Sequence, residues 1–273
     1  MGVPGVPAEA AVLLRLVVVC PLPSAAGPGR SSGGGLGGGA GGGLLGGAGG
    51  WAKAGSKPAS VLLYRQALDA ASDLDQIKSI SAALRELGRK VNLTRHFGFL
   101  VDWQMAGPFH NKDRAGFESV FGPEKNAELS ASYDGMDGKV KWQGYSTGDE
   151  YGMVDFNKPY GDLKEVTGYA QTEFVSGINR PAELRRGCNN AWKSWLNGEL
   201  IFGRDEYHRG MRIDQYKLPV QLKKGGNTIL VKACQNEQVE DWTVQWQFQL
   251  RVCDATGTAI HSATKKNREV AAQ

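Results

Sequence analysis

Three segments between Ala191 and Asp254 decide the fold: AWKSWLNGELIFG at 191–203, LPVQLKKGGNTILVKACQ at 218–235 and WTVQWQFQLRVCD at 242–254. They indicate a strand, a tight turn and a second strand, then a basic, Gly-containing turn between two further strands, and a last strand. In that last strand, apolar and polar side chains alternate: Val244, Trp246, Phe248, Leu250 and Val252 against Gln245, Gln247, Gln249 and Arg251. Strict alternation predicts one buried face and one solvent face.

Short β segments separated by turn signals continue this pattern through residues 97–260. The predicted strands are Gly98–Gln104, Leu129–Tyr133, Val140–Tyr145, Met153–Phe156, Thr167–Val175, Glu183–Arg185, Ala191–Leu196, Glu199–Phe202, Tyr216–Leu222, Thr228–Cys234 and Val244–Asp254. Because helical patterns do not separate them, they predict a mainly β fold, an antiparallel β-sandwich of jelly-roll type. Residues 261–273 are charged and predict a flexible tail.

The chain before the sandwich falls into three parts. Residues 1–26 hold a short apolar run followed by small residues, which predicts a weak signal peptide, and a start codon assigned too far upstream is the alternative. Residues 27–56 are rich in glycine and predict a disordered linker. In residues 57–96, apolar residues spaced by three and four predict two short helices, the second ended by Gly88. This helical lead-in is a candidate remnant of helical repeats.

The turns and strands resemble a known family. The motif WLNG at 195–198, then LKKGGN at 222–227 and an aliphatic strand, is similar to the galactose-binding-like β-sandwich of carbohydrate-binding modules and of the sugar-binding domain of family 2 glycosidases. WQMAGPF at 103–109 resembles the opening strand of such modules in large planctomycete-type bacterial proteins, where helical repeats precede the sandwich. The resemblance covers about Leu84 to Ala259. An acidic residue commonly precedes the WLNG strand, whereas Asn189 and Asn190 stand here.

Composition and motif spacing argue against several function classes. The net charge of +4 is mild, and basic pairs are mixed with acids, so nucleic-acid binding is not predicted. No run approaches the roughly 20 apolar residues of a membrane span. The histidines lack metal-ligand spacing, and neither a nucleophile elbow nor a phosphate loop is present, so we predict no enzyme and no cofactor. The resemblance allows for a structural calcium ion. Cys188, Cys234 and Cys253 form either one disulfide or small buried apolar sites.

Carbohydrate recognition needs aromatic faces and planar polar side chains, and two places could supply them. Trp192 and Trp195 point to opposite faces of the same predicted strand, so one of the two should lie outside the main core. Trp195 is the candidate exposed platform, and packing under a loop or helix is its alternative. The loop at 203–210 could form a hydroxyl or carboxylate site, or an internal salt-bridge net. The loop at 236–242 is expected nearby. The candidate ligand-binding residues are Trp195, Asn197, Arg204, Glu206, Tyr207, His208, Arg209 and Asp241.

These observations predict a non-catalytic carbohydrate-binding-like module that acts in the periplasm or outside the cell, or in the cytoplasm if the signal peptide is spurious. The alternative is a structural or protein-interaction sandwich attached to helical repeats in a larger architecture. A fragment of a hydrolase that has lost its catalytic domain is a third reading. The fold itself cannot choose between these functions, because such sandwiches are widely reused.

Overall fold

The computed structural model describes residues 57–71 and 74–263. The predictions of a signal peptide at 1–26, a disordered linker at 27–56 and most of a flexible tail at 261–273 lie outside the described residues. By its internal contacts, the chain divides into two compact units, residues 1–91 and residues 92–273. No helix among the described residues is both long enough and apolar enough to cross a membrane.

The described part of the first unit consists of two helices, α1 (Lys57–Ala70) and α2 (Leu74–Glu86), which confirms the predicted pair. The apolar positions Leu68, Ile77 and Leu84 are buried. After α2 the backbone N–H of Arg89 donates to the carbonyl of Leu84 at 2.9 Å. Gly88 allows this turn because it adopts a positive φ of 74°.

The second unit begins with a short helix that was not predicted, α3 (Leu93–Phe97), capped by the Asn92 side chain. Two further helices of one turn, α4 (Gly122–Lys125) and α5 (Asn157–Tyr160), interrupt the β region. The strands are β1 (Asp102–His110), β2 (Ser132–Asp134), β3 (Lys139–Lys141), β4 (Gln143–Ser146), β5 (Val154–Asp155), β6 (Val166–Ser176), β7 (Arg180–Cys188), β8 (Ala191–Leu196), β9 (Glu199–Arg204), β10 (Tyr216–Leu222), β11 (Gly225–Gln235) and β12 (Gln247–Cys253).

Two antiparallel sheets face each other. One has six strands in the order β4-β1-β6-β11-β8-β9, and the other has four in the order β10-β7-β12-β5. The strands β2 and β3 form a small separate sheet. The predicted fold class, a mainly β antiparallel sandwich preceded by a short helical segment, is confirmed. β11 lies in the middle of the larger sheet and pairs with β6 along its whole length.

The main core fills the space between the sheets, and its largest fully buried side chains include Trp192, Trp246 and Phe248. Gly168 makes this packing possible, because a Cβ there would lie 2.7 Å from the Phe156 ring. The predicted tight hairpin is present: Asn197 and Gly198 have φ values of 53° and 83° and join β8 to β9. The sequence motif that suggested the family therefore forms the turn that its residues require.

The solvent face predicted for the last strand is wrong. Gln249 and Arg251 on the polar face of β12 are buried. The chain between β9 and β10 covers them, and the Asp214 carboxylate within it accepts hydrogen bonds from the Arg251 guanidinium. Polar residues alternate with apolar ones here because they meet a second polar layer rather than water.

Cys188, Cys234 and Cys253 are free and buried, so of the two predicted alternatives the structure has small apolar sites rather than a disulfide. Burial raises the pKa of the Cys234 thiol to about 11, and the Thr167 hydroxyl 3.4 Å away opposes this shift in part. Cys234 therefore carries a neutral thiol near neutral pH.

Candidate functional site

Trp195 does not form the predicted exposed platform. Its side chain is 7% exposed and packs with Tyr169 and Leu230 on the outer face of the larger sheet. The segment between β1 and β4 covers this face, with Tyr133 of β2 in the same apolar cluster. The predicted exposure is wrong because a side chain that leaves the inter-sheet core here enters a second core. The alternative, packing under a loop, is confirmed.

Asn197 uses its side chain within the fold. Its Oδ1 accepts the backbone N–H of Thr228 at 3.0 Å, and its Nδ2 donates to Oδ1 of Asn227 at 3.2 Å. The amide of Asn227 in turn holds the Lys223–Asn227 turn through the carbonyls of Lys223 and Gly225. The two motifs that carry the family resemblance are therefore hydrogen-bonded to each other, and these bonds use about half of the hydrogen-bonding capacity of the Asn197 amide.

The charged residues of the loop at 203–210 form an internal salt-bridge net, as the alternative prediction had it. Glu206 pairs with Arg204 at 2.9 Å and lies 3.8 Å from Arg209. All three side chains are at least partly exposed, so solvent screens the pairs and their contribution to stability is small. Their remaining donors and acceptors face water, which leaves them able to contact a ligand.

Hydrogen bonds and ring contacts from neighbouring residues hold Tyr207 and His208 in place. Asn111 donates from Nδ2 to the Tyr207 hydroxyl at 3.1 Å, and the Arg114 guanidinium lies 5.3 Å from the centre of the Tyr207 ring. Burial raises the pKa of Tyr207, so the phenol stays neutral. His208 has a φ of 55°, and its Nε2 lies 2.8 Å from Oδ1 of Asn236. A positive φ at a residue other than glycine costs energy, which these contacts offset.

The loop at 236–242 lies against the loop at 203–210. The imidazole of His208 meets the Trp242 ring edge-on, with the ring centres 5.5 Å apart. Glu237 accepts two hydrogen bonds from Arg114, one of them at 3.1 Å. We call this surface the loop end, defined as residues 111–114, 204–209 and 235–244. The prediction that the two loops lie close together is confirmed. Residues 111–114, just after β1, lie beside them.

Trp242 is the exposed aromatic side chain that the sequence analysis missed. It is 63% exposed and lies between two exposed valines, Val239 and Val244. Trp242 lies in the predicted loop at 236–242, of which the sequence analysis names only Asp241 as a candidate ligand-binding residue, and the predicted last strand begins at Val244. The strand starts only at Gln247, and Asp241–Thr243 forms a short 3-10 helix instead. Asp241, a predicted site residue, is exposed at the start of this helix.

A layer of buried amides supports the loop end. Asn190 donates to Oε1 of Gln235 at 3.1 Å and to the carbonyl of Gln245 at 3.0 Å, and Gln235 donates to the carbonyl of Thr243. The two asparagines that replace the family's acidic residue therefore serve the fold, since Asn189 also binds Gln245. The carboxamide oxygen of Asn189 is buried and makes no hydrogen bond within the described residues. It is a spare acceptor beneath the loops.

Among residues 57–71 and 74–263, no group of three or more His, Cys, Asp or Glu side chains is placed to hold a metal ion. Within these residues, the calcium ion that the resemblance allows for would have to use backbone carbonyl oxygens as well.

Comparison with solved structures finds partial likenesses. The β-glucosidase from Kluyveromyces marxianus in complex with glucose matches 39% of this chain and 12% of its own, at 15% identity and a TM-score of 0.26. The family 35 carbohydrate binding module from Clostridium thermocellum matches 31% of this chain and 69% of its own, at 16% identity and a TM-score of 0.23. An anti-sigma factor domain-containing protein from Clostridium clariflavum matches 61% of this chain and 48% of its own, at 9% identity and a TM-score of 0.33.

These likenesses are partial and of low sequence identity. Their low TM-scores carry no argument about function, and this chain spans only a small part of the β-glucosidase. No protein-family profile matches the sequence. No curated protein matches it either.

Proposed function

We propose that the sandwich is a non-catalytic binding module and that the loop end binds a carbohydrate, with the Trp242 ring stacked on a sugar face. The exposure of Trp242 carries this proposal. An aromatic face offers the C–H side of a sugar an apolar surface and keeps its hydroxyls free for polar partners. The edge-on contact with His208 fixes the indole, so little entropy is lost when a ligand binds.

The loop end also carries polar groups suited to sugar hydroxyls. Arg114 and Glu237 are about half exposed, so their bidentate pair keeps free N–H groups and lone pairs towards solvent. Glu206, with Arg204 at 2.9 Å and Arg209 at 3.8 Å, supplies further solvent-accessible charged groups in the neighbouring loop. Planar guanidinium and carboxylate groups can each hold two neighbouring hydroxyls, which is the geometry that a sugar presents.

The electrostatics of the loop end favour binding over hydrolysis. A glycosidase needs a carboxylic acid that stays protonated, hence with a raised pKa, opposite a second carboxylate. At Glu237, the hydrogen bond from Arg114 is the largest influence and holds the pKa below its ordinary value. Glu237 is thus suited to accept hydrogen bonds rather than to donate a proton. Glu206 forms ion pairs with Arg204 and Arg209.

A glycan array probed with the full chain tests the proposal. We expect a defined set of glycans to bind, and Trp242→Ala to weaken binding about tenfold or more, as the loss of an aromatic contact surface does. The variant should unfold at the same temperature, because Trp242 is exposed. Val239→Ala is the matched control on the same loop and should bind as the unchanged protein does. A flat array, or full binding by Trp242→Ala, would refute the carbohydrate proposal.

A protein partner is the second candidate. The observation that favours it is the exposure of three large apolar side chains within six residues, Val239, Trp242 and Val244, since exposed apolar surface often marks protein interfaces. If the two valine-to-alanine variants weaken binding to a partner as much as Trp242→Ala does, the three side chains act as one apolar surface. This result would favour the interaction domain attached to helical repeats. As a carbohydrate-binding module, the protein would act outside the cytoplasm, and this part of the proposal rests on the family resemblance.

A further inference from the structure

A groove of about 450 Å³ opens between β4 and β5, the edge strands of the two sheets. This volume lies in the range of about 300–1,000 Å³ that small-molecule sites occupy. Tyr145 and Met153 contribute apolar surface to its lining, and Asp149, Asp155 and Lys158 contribute charge. No predicted site residue lines it, and it is distinct from the loop end.

The two carboxylates are held in place by the backbone. Oδ1 of Asp149 accepts the N–H groups of Tyr151 at 2.9 Å and Met153 at 3.2 Å. Oδ1 of Asp155 accepts the N–H of Asn157 at 2.9 Å. Within the described part of the chain, Oδ2 of neither carboxylate makes a hydrogen bond or an ion pair. Each side chain is therefore oriented before a ligand arrives and keeps one oxygen to receive it.

The charges around the groove are unbalanced. Burial raises the pKa of the half-buried Asp155, and the hydrogen bond from the backbone of Asn157 and the charge of Lys158 offset this only in part. Lys158 itself is exposed to solvent. At the rim, Ser146 donates a hydrogen bond to a third carboxylate, that of Asp102, at 2.6 Å. A cationic group in the groove would thus gain favourable charge interactions with the exposed carboxylate of Asp149 and with that of Asp155, which burial has partly desolvated.

From this geometry we propose that the groove binds an amino sugar of monosaccharide size, with its ammonium group facing Asp149 and Asp155. The sugar's C–H face packs on Tyr145 and Met153. Its hydroxyls meet the polar rim that Thr147 and Ser146 provide. An ammonium group supplies three N–H donors, which suits two carboxylate oxygens that lack partners. The neutral N-acetyl and hydroxyl analogues lack the charge that these oxygens would pair with.

Calorimetric titration of the full chain with glucosamine, N-acetylglucosamine and glucose tests this assignment. The titrations are run at slightly acidic pH, where the amine is charged. We expect glucosamine to bind about tenfold or more tightly than either neutral sugar, as for a hydrogen bond between charged groups. Asp149→Asn and Asp155→Asn should remove this preference, and the amide oxygen still accepts the backbone N–H groups. Absence of glucosamine binding, or equal binding of all three sugars, overturns the proposal.

Two further variants separate this site from other effects. Asp134→Asn removes an exposed carboxylate of β2 that pairs with Lys139, and it should leave glucosamine binding unchanged. Should it weaken binding equally, the interaction would be non-specific attraction to negative charge, which contradicts the assignment. Trp242→Ala should also leave glucosamine binding unchanged. Loss of binding in that variant would place the sugar at the loop end and overturn the groove proposal, whereas a flat glycan array would leave it intact.

Discussion

Two clusters of one carboxylate between two arginines lie close together along the chain and differ in burial. In the first, the Asp214 carboxylate forms ion pairs with Arg185 at 2.7 Å and with Arg251 at 2.5 Å, and all three side chains are at most 7% exposed. In the second, Glu206 lies between Arg204 and Arg209, and solvent reaches every member. The same residue types therefore have different roles in the two clusters, because the clusters differ in burial and in additional hydrogen bonds.

The buried cluster, which we call the clamp (Arg185, Asp214 and Arg251), ties distant parts of the second unit together. Arg185 is on β7 and Arg251 on β12, and Asp214 comes from the chain between β9 and β10. Arg251 also donates to the carbonyls of Phe97 and Gly257, at the end of α3 and in the turn after β12. Asp214 keeps a positive φ of 57° to reach this position. The clamp is structural, while the exposed net is available for contact with a ligand.

The largest expected effect follows from removing the carboxylate of the clamp. Asp214→Ala leaves the buried guanidinium of Arg251 without a counter-charge and leaves Arg185 with Glu183 alone, at 2.8 Å. Breaking such buried pairs costs about 3–5 kcal/mol of unfolding free energy. Denaturant unfolding followed by tryptophan fluorescence measures this loss. Glu206→Ala is the matched control, since it removes the equivalent carboxylate from the exposed net. Similar losses in the two variants would mean that burial does not distinguish the clusters.

A smaller effect is expected from pH. Burial alone would raise the pKa of Asp214, but hydrogen bonds and charges from Arg251 and Arg185 outweigh it and hold the pKa below its ordinary value of 3.8. A carboxylate with a lower pKa in the folded than in the unfolded state stabilises the fold above the unfolded pKa. That stability is lost as the pH falls below about 4 towards the folded pKa.

The comparison with Asp214→Asn isolates this contribution. The unchanged protein should lose more stability between neutral pH and pH of about 3 than the variant loses, because the variant has no carboxylate to protonate there. Denaturation midpoints at the two pH values give the difference. Equal losses in both proteins would show that Asp214 is not the group that titrates.

The alternation of apolar residues sufficed to predict most of the sandwich. β8 runs from Ala191 to Leu196, as the pattern predicts, and β10 from Tyr216 to Leu222. β1 was placed too early, because Gly107-Pro108 suggested a turn. The pair instead lies inside the strand, at the irregularity of register between Ala106 and Phe109, where a proline without an N–H is tolerated.

Which polar residues are buried could not be read from alternation, since that depends on what covers each face. Lys232 alternates like an exposed residue, yet it is fully buried and donates to the carbonyls of Phe117 and Ser119 and to Glu124. Trp195 was misplaced for the same reason, because the segment that covers it comes from far away in sequence. The candidate site was found in part: the two loops were predicted, and their exposed tryptophan was not.

The smallest stability effect is expected for Glu206→Gln in the exposed net. Solvent screens both of its ion pairs, so the loss of unfolding free energy should be less than about a fifth of that for Asp214→Ala. Its effect on glycan binding should be larger in proportion, because the carboxylate is a proposed hydroxyl acceptor. Thermal unfolding and glycan binding of the same sample measure the two together. A stable variant with weaker binding assigns the net to recognition, whereas a large loss of stability with unchanged binding makes it a second clamp.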